Sequence, residues 1–269
     1  MKNINFKIFL FLIFIITTTL FLIFSGEENV VIRLVIYLIG PITAVVSGMV
    51  AMKSFGWSGK KAAIATSVLV GVGLWLLGEI ATLYFVWKGV DTYPTIADFF
   101  FISGYVFYTL AVVLKIKLFG LVLNKIDIKK LVTLGILFLI TALLSGYMAL
   151  LGYDPEGGFL VNFVSFSWVL GDLVAGGLSL ILLAMAWEYR GGLVRIEWLW
   201  FLGALFANLV ADSVYSLNPR IIAEGSVLSI LLDIVWIAGY CMFAGYFLER
   251  YKNTKELKNK IPNIPKFEK

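Results

Sequence analysis

The chain alternates long apolar runs with short polar segments, and each run is close to the length of a membrane-spanning helix. An α-helix needs about 20 mostly apolar residues to cross the hydrocarbon core of a bilayer. Eight such runs follow one another, and they cover residues 7–24, 30–52, 62–87, 95–114, 131–152, 159–187, 196–217 and 226–248. The pattern predicts an all-α, polytopic integral membrane protein with eight transmembrane helices in contact with the lipid bilayer.

Charges in the connecting segments indicate how these helices are oriented. With the N-terminus in the cytoplasm, 19 of the 22 Lys and Arg residues lie on the inner side. Lys88 and Arg220 then lie outside, and Arg33 lies within the second run. The positive-inside rule therefore predicts a multi-pass protein of the cell membrane with cytoplasmic termini and a basic tail over residues 251–269. The first run also resembles a signal peptide, although it is longer than the usual stretch of about 7–15 apolar residues.

One segment of the chain occurs twice in identical register. DFFFISGY at residues 98–105 matches DIVWIAGY at residues 233–240, and Asp, Ile, Gly and Tyr are identical in the two copies. Because an even number of helices per unit preserves orientation, the match predicts two parallel four-helix repeats. These repeats would cover residues 1–130 and 131–250, related by an axis along the membrane normal.

Two alignments of the third and seventh runs are open. One pairs LWLLGE with LWFLGA but lengthens the second outer connection by ten residues. The other pairs Glu79 with Asp212, and it is preferred because it keeps both the acid and the connection length. The second and sixth runs align more weakly, with Gly40 on Gly171.

Composition excludes much of the usual site chemistry. The chain is 61% hydrophobic, contains no histidine, and has Cys241 as its one cysteine. Histidine-ligated haem, zinc sites, histidine-based triads and internal disulfides are therefore excluded. No phosphate loop or nucleophile elbow is present, and the GxGD signature of intramembrane aspartyl proteases would need glycine where Val169 stands. The sequence predicts neither an enzyme nor a cofactor, and topology explains its +5 charge better than a nucleic-acid partner does.

Five carboxylates lie inside the predicted helices. A carboxylate at the centre of a membrane helix costs about 2.5–3.5 kcal/mol on insertion scales, so such side chains usually face the bundle interior or a polar cavity. Four of the five lie in the outer halves of their helices, which predicts an acidic pocket at the repeat interface, open to the extracytoplasmic side, with Asp172 at its floor. The predicted ligand-binding or cation-binding residues are Glu79, Asp98, Asp172, Asp212, Asp233, Arg33, Asn208, Tyr105 and Tyr240.

The polar partners in this set follow from position. Arg33 is the one base at a similar depth to the acids, and Asn208 lies one helical turn before Asp212. A tyrosine hydroxyl is a natural hydrogen-bond partner for a buried carboxylate, and Tyr105 and Tyr240 end the two repeated strings. The alternative is structural: Arg33 pairs with one acid while the others bond to neighbouring helices and hold the bundle together.

Four short strings together resemble a known family of membrane regions. They are GEIATLY from Gly78, YPTIADFFFISGY from Tyr93, ADSVY from Ala211 and LLDIVWIAGY from Leu231. This pattern is similar to the eight-helix sensory region that precedes GGDEF diguanylate cyclase and histidine kinase domains in bacterial signalling proteins. The resemblance implies a sensory or ligand-binding module. Because this sequence ends shortly after the eighth run, such a module would signal through a separate signalling or membrane partner.

Two functions are therefore considered. The first is a sensor-like or ligand-binding membrane protein with an outward-facing acidic pocket. The second is a small proton- or cation-coupled transporter that uses the same carboxylates at the repeat interface. Transport would need access from both sides, and Pro41 marks the one helix break that the sequence offers well inside a run. The sequence does not identify the ligand.

Overall fold

A computed structural model describes residues 6–90, 93–119, 128–151, 153–188, 193–217 and 226–260. This part of the chain is all helical and contains no strand, which confirms the predicted all-α class. The α-helices are α1 Phe6–Ile23, α2 Val30–Tyr37, α3 Ile39–Phe55, α4 Lys60–Lys88, α5 Ile96–Phe119, α6 Ile128–Leu151, α7 Gly158–Glu188, α8 Leu193–Leu217 and α9 Val227–Lys260. One short 3-10 turn, Glu27–Asn29, joins α1 to α2.

Seven helical segments are long and apolar enough to cross a membrane, with α2 and α3 counted as one. Helix α6 has a shorter qualifying apolar stretch, Val132–Leu144, within the described residues. The eighth membrane span therefore stays a prediction. Large apolar side chains of α1 and α6 point away from the protein, with Phe11 62% and Leu143 66% exposed. Such apolar outer surfaces are consistent with contact with lipid.

A one-residue break separates α2 from α3 at Leu38. Pro41 lies in the first turn of α3, where a missing N–H is tolerated because no intrahelical acceptor precedes it. The backbone N–H groups on either side of the break continue to find helical acceptors, since Leu38 bonds to Leu34 and Ile42 bonds to Leu38. The predicted break at Pro41 thus lies three residues earlier, at Leu38.

Packing is most extensive within two hairpins, α4 with α5 and α8 with α9. Helix α3 packs on α9, and α5 packs on α7, which joins the hairpins into one bundle. At its centre the rings of Tyr108 and Phe243 stack 5.0 Å apart, and the Trp75 ring meets Tyr108 edge-on at 4.9 Å. Gly71 allows this approach, because a Cβ there would lie 2.6 Å from the Tyr108 ring.

A buried ion pair closes the bundle at the end that carries Lys53, Lys60 and Lys61, here called the basic end. Arg250 of α9 donates to Glu197 of α8 at 2.6 Å, and both side chains are less than a tenth exposed. The same guanidinium donates to the backbone carbonyl of Lys61 at 2.6 Å. One side chain therefore ties α9 to both α8 and α4.

Helix α9 is longer than the apolar run that predicted it. Its 34 residues correspond to roughly 51 Å at 1.5 Å per residue, against about 30 Å of hydrocarbon. The predicted span ended at residue 248, whereas the helix continues to Lys260. The first ten residues of the predicted tail are therefore helical, and residues 261–269 lie outside the described part of the chain.

Candidate functional site

A cavity of about 350 Å³ lies at the end of the bundle opposite the basic end. This cavity end carries the α1–α2 turn, the α4–α5 connection and the first turns of α7 and α9. Side chains from α1, α2, α4, α5, α7, α8 and α9 line it. Six of the nine predicted site residues are among the lining residues, namely Arg33, Glu79, Asn208, Asp212, Asp233 and Tyr240.

Glu79 forms one side of the cavity together with two tyrosines. The Tyr240 hydroxyl donates to Glu79 Oε1 at 2.8 Å. Tyr37 also faces this carboxylate, and its ring packs edge-on against Tyr240 at 6.0 Å. Because Tyr37 lies on α2, Glu79 on α4 and Tyr240 on α9, three separate helices supply this side of the site.

Asp212 forms the other acidic side and receives hydrogen bonds from two helices. Trp236 of α9 donates its indole N–H to Asp212 Oδ1 at 2.8 Å. The Tyr105 hydroxyl of α5 contacts Asp212 Oδ2 at 2.7 Å and Asp172 Oδ1 at 2.6 Å. Asp172 and Tyr105 are not among the lining residues, so the cavity surface connects to Asp172 through the tyrosine and Asp212.

In the Asp172–Tyr105–Asp212 arrangement, one hydroxyl lies between two carboxyl groups. A phenol hydroxyl carries a single hydrogen, which can be donated to one acceptor at a time. Both oxygen–oxygen distances are nevertheless within the hydrogen-bond range for O–H donors. A proton on one of the two carboxyl groups, donated to the tyrosine oxygen, would satisfy the second contact. This group of three side chains can store and exchange a proton next to the cavity.

Aromatic side chains form much of the remaining wall. Trp75, Trp168, Trp236 and Phe101 all line the cavity. Trp75 is fixed by a hydrogen bond from its indole N–H to the Phe101 carbonyl at 3.0 Å, and its ring meets Tyr105 at 5.3 Å. Indole and phenol rings attract cations over their faces, so this wall suits a positively charged group as well as an apolar one.

Arg33 brings a positive charge to a largely acidic cavity. The residue is 5% exposed, and its guanidinium donates one hydrogen bond, at 3.3 Å, to the Ser25 carbonyl. It also lies 5.7 Å from the centre of the Phe21 ring. Within the described residues, the ion pairs all lie elsewhere, at the basic end. The structural alternative is therefore met only in part. Arg33 pairs with no acid among the described residues, whereas Glu79, Asp172 and Asp212 do bond to tyrosines of neighbouring helices.

Asp98, the first residue of the repeated string, lies outside the cavity lining. Its carboxylate accepts hydrogen bonds from the backbone N–H and hydroxyl of Thr95 at 2.7 and 3.1 Å. The Thr95 hydroxyl in turn accepts the Ala97 N–H at 3.2 Å. This is a capping box, in which two side chains satisfy the free N–H groups of the first turn of α5. Trp168 also donates to Asp98, at 3.3 Å.

Close helix contacts recur in two places around the tyrosines. A Cβ at Gly171 would lie 2.9 Å from the Tyr105 ring, and a Cβ at Gly40 would lie 3.3 Å from the Tyr240 Cβ. Helix α7 therefore approaches α5 through one glycine, while the α3 end nearest α2 approaches α9 through another. In each case the tyrosine hydroxyl then reaches an acid, Asp212 or Glu79.

A second pair of contacts follows the same pattern. A Cβ at Gly104 would lie 3.2 Å from the Gly71 carbonyl oxygen, and a Cβ at Gly239 would lie 3.5 Å from the Ala204 carbonyl oxygen. Gly239 also lies against Asn208, whose side chain lines the cavity and donates to Ala204 at 2.7 Å. The asparagine is thus held by its own helix at the point where α9 crosses α8.

The predicted site did not include Tyr37 or the three tryptophans that line the cavity, Trp75, Trp168 and Trp236. The alignment of Gly40 with Gly171 contained a signal for Tyr37, because it places that residue opposite Trp168, which also lines the cavity. No family model, curated protein or solved structure matches this chain. Within the described residues, no group of three or more His, Cys, Asp or Glu side chains is arranged to hold a metal ion.

Proposed function

We propose that this chain is a ligand-binding, sensor-like membrane protein whose cavity binds a small molecule with a positively charged group. The observation that carries the proposal is the lining: three carboxylates, Glu79, Asp212 and Asp233, share about 350 Å³ with several aromatic faces. Cavities of roughly 300–1,000 Å³ with a few polar groups on apolar walls are typical of small-molecule sites. Carboxylates and aromatic faces both favour a cation.

The proposed orientation has the cavity end outside the cell and the basic end in the cytoplasm. At the basic end, the last turn of α3 carries Lys53 and the first turn of α4 carries Lys60 and Lys61, on either side of a short connection. Lysines of short connections near membrane helices are retained in the cytoplasm, so this distribution supports an outward-facing cavity and cytoplasmic termini. A sensor would then receive its ligand from outside, as the resemblance to bacterial sensory membrane regions implies.

Reciprocal contacts support the proposed two-repeat arrangement. Tyr105 of the first unit reaches Asp212 of the second, and Tyr240 of the second reaches Glu79 of the first. The two tyrosines are equivalent in the repeated strings, and Glu79 and Asp212 are equivalent in the preferred alignment. Each unit therefore contributes a tyrosine to the acid of the other, as expected for two copies related by an axis along the bundle.

Glycine contacts support the same alignment of the third and seventh runs. Gly104 lies against the carbonyl of Gly71, and Gly239 lies against the carbonyl of Ala204. Residues 71 and 204 are equivalent only when Glu79 is paired with Asp212, since both pairs are then separated by 133 positions. The pairing of the two LWxLG strings would place Trp200 opposite Trp75 instead, and it does not reproduce these contacts.

Helix α9 provides a physical route from the cavity to the cytoplasmic side. Asp233, Trp236 and Tyr240 line or close the site, and the same helix carries the buried Arg250 at the basic end. It then continues to Lys260. A ligand that favours one position of α9 would therefore also shift the far end of this helix, which a signalling partner could contact.

The test uses phenethylamine, a cation with an aromatic body, and protein reconstituted in nanodiscs. Calorimetric titration should give saturable binding that Asp233→Asn weakens by roughly tenfold or more, because it removes a charge from the lining. The matched control is Asp98→Asn in the equivalent position of the other repeat, which lies in the capping box and should leave binding unchanged. Absence of binding, or equal effects of the two variants, would refute the proposed site.

A second function, proton- or cation-coupled transport, is favoured by the Asp172–Tyr105–Asp212 group. This group can hold a proton beyond that of the tyrosine, and its Asp212 lines the cavity. Helix α2 also ends at Tyr37 in the cavity wall, and discontinuous helices are common at transporter sites. Proteoliposomes with a pH gradient should then accumulate labelled phenethylamine, and Tyr105→Phe should abolish the gradient dependence. Binding without gradient-driven uptake would exclude transport of this probe and leave the binding function.

A further inference from the structure

We infer that the ligand of this cavity is a zwitterion, with its ammonium group beside the carboxylates and its anionic group at Arg33. The inference rests on the proposed function, because it concerns the same cavity and names the class of molecule that fills it. A simple cation would satisfy the acidic side and would meet a like charge at Arg33. The distribution of charge around the cavity therefore decides between the two classes.

The burial and hydrogen bonding of Arg33 support an anionic group on the ligand. Its guanidinium has five N–H donors in a planar fork, and it makes one hydrogen bond, to the Ser25 carbonyl, while the residue is 95% buried. A buried charge is costly unless an opposite charge compensates it. The described ion pairs do not include this guanidinium. Because Arg33 lines the cavity, a carboxylate or phosphate group of a ligand would supply the counter-charge in bidentate form.

The hydrogen bonds and positions of the cavity acids support an ammonium group on the ligand. Glu79 accepts a hydrogen bond from Tyr240, and Asp212 accepts one from Trp236 and shares the Tyr105 hydroxyl with Asp172. These carboxyl groups are therefore oriented by hydroxyl and indole donors, and both residues line the cavity that an ammonium group would enter. Together with Asp233 they make one part of the lining acidic, while Arg33 makes another part basic.

The rest of the lining is largely apolar and aromatic. Phe21, Trp75 and Phe101 contribute to it, and the cavity volume of about 350 Å³ exceeds what the two charged groups alone would fill. A ligand with an apolar body between or beside its charges would fit this lining. A free amino acid with an aromatic side chain has this chemistry, and a phosphatidylethanolamine headgroup presents the same pair of charges from the membrane.

Three matched probes separate these possibilities: L-phenylalanine, phenethylamine, which lacks the carboxylate, and 3-phenylpropionate, which lacks the amine. Binding is measured by calorimetric titration of the full chain in phosphatidylglycerol nanodiscs. Phenylalanine should bind roughly ten to a hundred times more tightly than phenethylamine, as expected for one charge-assisted contact, and 3-phenylpropionate should bind most weakly. Arg33→Gln should reduce phenylalanine binding to the level of phenethylamine and should leave or improve phenethylamine binding.

Arg33→Lys keeps the charge but loses the planar fork, so it should retain part of the preference for phenylalanine over phenethylamine. It also provides a second variant if Arg33→Gln does not fold. Nanodiscs that also contain phosphatidylethanolamine distinguish the source: competition against phenylalanine indicates the lipid headgroup, and undiminished binding indicates a free zwitterion. Equal binding of phenylalanine and phenethylamine, or an unchanged preference in both Arg33 variants, would overturn the zwitterion and leave the proposed cation site intact. Failure of phenethylamine and phenylalanine alike would overturn both.

Discussion

Replacement of Tyr105 by phenylalanine tests the hydrogen bonds that connect the cavity wall to Asp172. The substitution keeps the ring and removes one hydroxyl, which contacts Asp172 at 2.6 Å and Asp212 at 2.7 Å. Side-chain hydrogen bonds between membrane helices average about 0.6 kcal/mol, whereas bonds to charged groups reach about 1.5–3 kcal/mol. Two contacts, at least one of them to a buried carboxylate, therefore predict a loss of about 1–3 kcal/mol in the free energy of unfolding.

The control lies one turn away on the same helix. Tyr108 is fully buried, and its hydroxyl has no hydrogen-bond partner within the described structure. Because Tyr108→Phe removes a buried polar atom without breaking a bond, it should change stability by less than about 0.5 kcal/mol or increase it slightly. Both variants are compared with the unmodified protein by equilibrium unfolding in mixed micelles with increasing dodecyl sulfate. If Tyr105→Phe costs no more than Tyr108→Phe, the shared hydroxyl does not hold the two aspartic acids.

Three further substitutions test other parts of the structure by the same unfolding measurement. Glu197→Ala leaves Arg250 buried without its carboxylate and should cost about 3–5 kcal/mol; a cost below about 1 kcal/mol would mean that the ion pair at the basic end is solvated. Gly71→Ala should cost about 1–3 kcal/mol, because the new Cβ overlaps the Tyr108 ring. The control Gly73→Ala should be neutral or stabilising, because no atom lies within 4 Å of its new Cβ. Similar effects of the two substitutions on stability would contradict the packing of α4 on α5. Asp98→Ala should cost about 0.5–2 kcal/mol by loss of the capping box while phenethylamine binding persists, and loss of binding would place this acid in the site after all.

Local patterns in the sequence predicted the helices and several lining residues well. Apolar runs predict membrane helices because the bilayer leaves few other structures for the backbone. Glu79, Asp212 and Asp233 could be selected because a carboxylate in such a run has few stable environments. The helix-capping role of Asp98 was also readable from TIAD at residues 95–98, a variant of the capping-box pattern that places an acid three residues after threonine.

Contacts between distant helices were beyond the sequence. The Tyr105–Asp212 and Tyr240–Glu79 hydrogen bonds join residues 107 and 161 positions apart, and they depend on which helices are neighbours in the bundle. The lack of an acidic partner for Arg33 depends on side-chain directions, which helical periodicity alone does not give. The length of α9 was underestimated because hydropathy ends at the membrane surface, whereas backbone hydrogen bonding continues through Lys260.

Reaction of a single cysteine in the cavity lining would test whether the cavity is acidic and faces outward. In a Cys241→Ser background, Ser229→Cys introduces a thiol in the first turn of α9, at the cavity surface. Added outside intact cells, the cationic reagent methanethiosulfonate ethyltrimethylammonium should label it faster than the anionic ethylsulfonate reagent, and phenethylamine should slow the labelling. The exposed Ser58→Cys, at the basic end, should react only after the membrane is opened. Labelling of Ser229→Cys only from the cytoplasmic side, or with equal rates for both reagents and no protection, would contradict an outward-facing cation site.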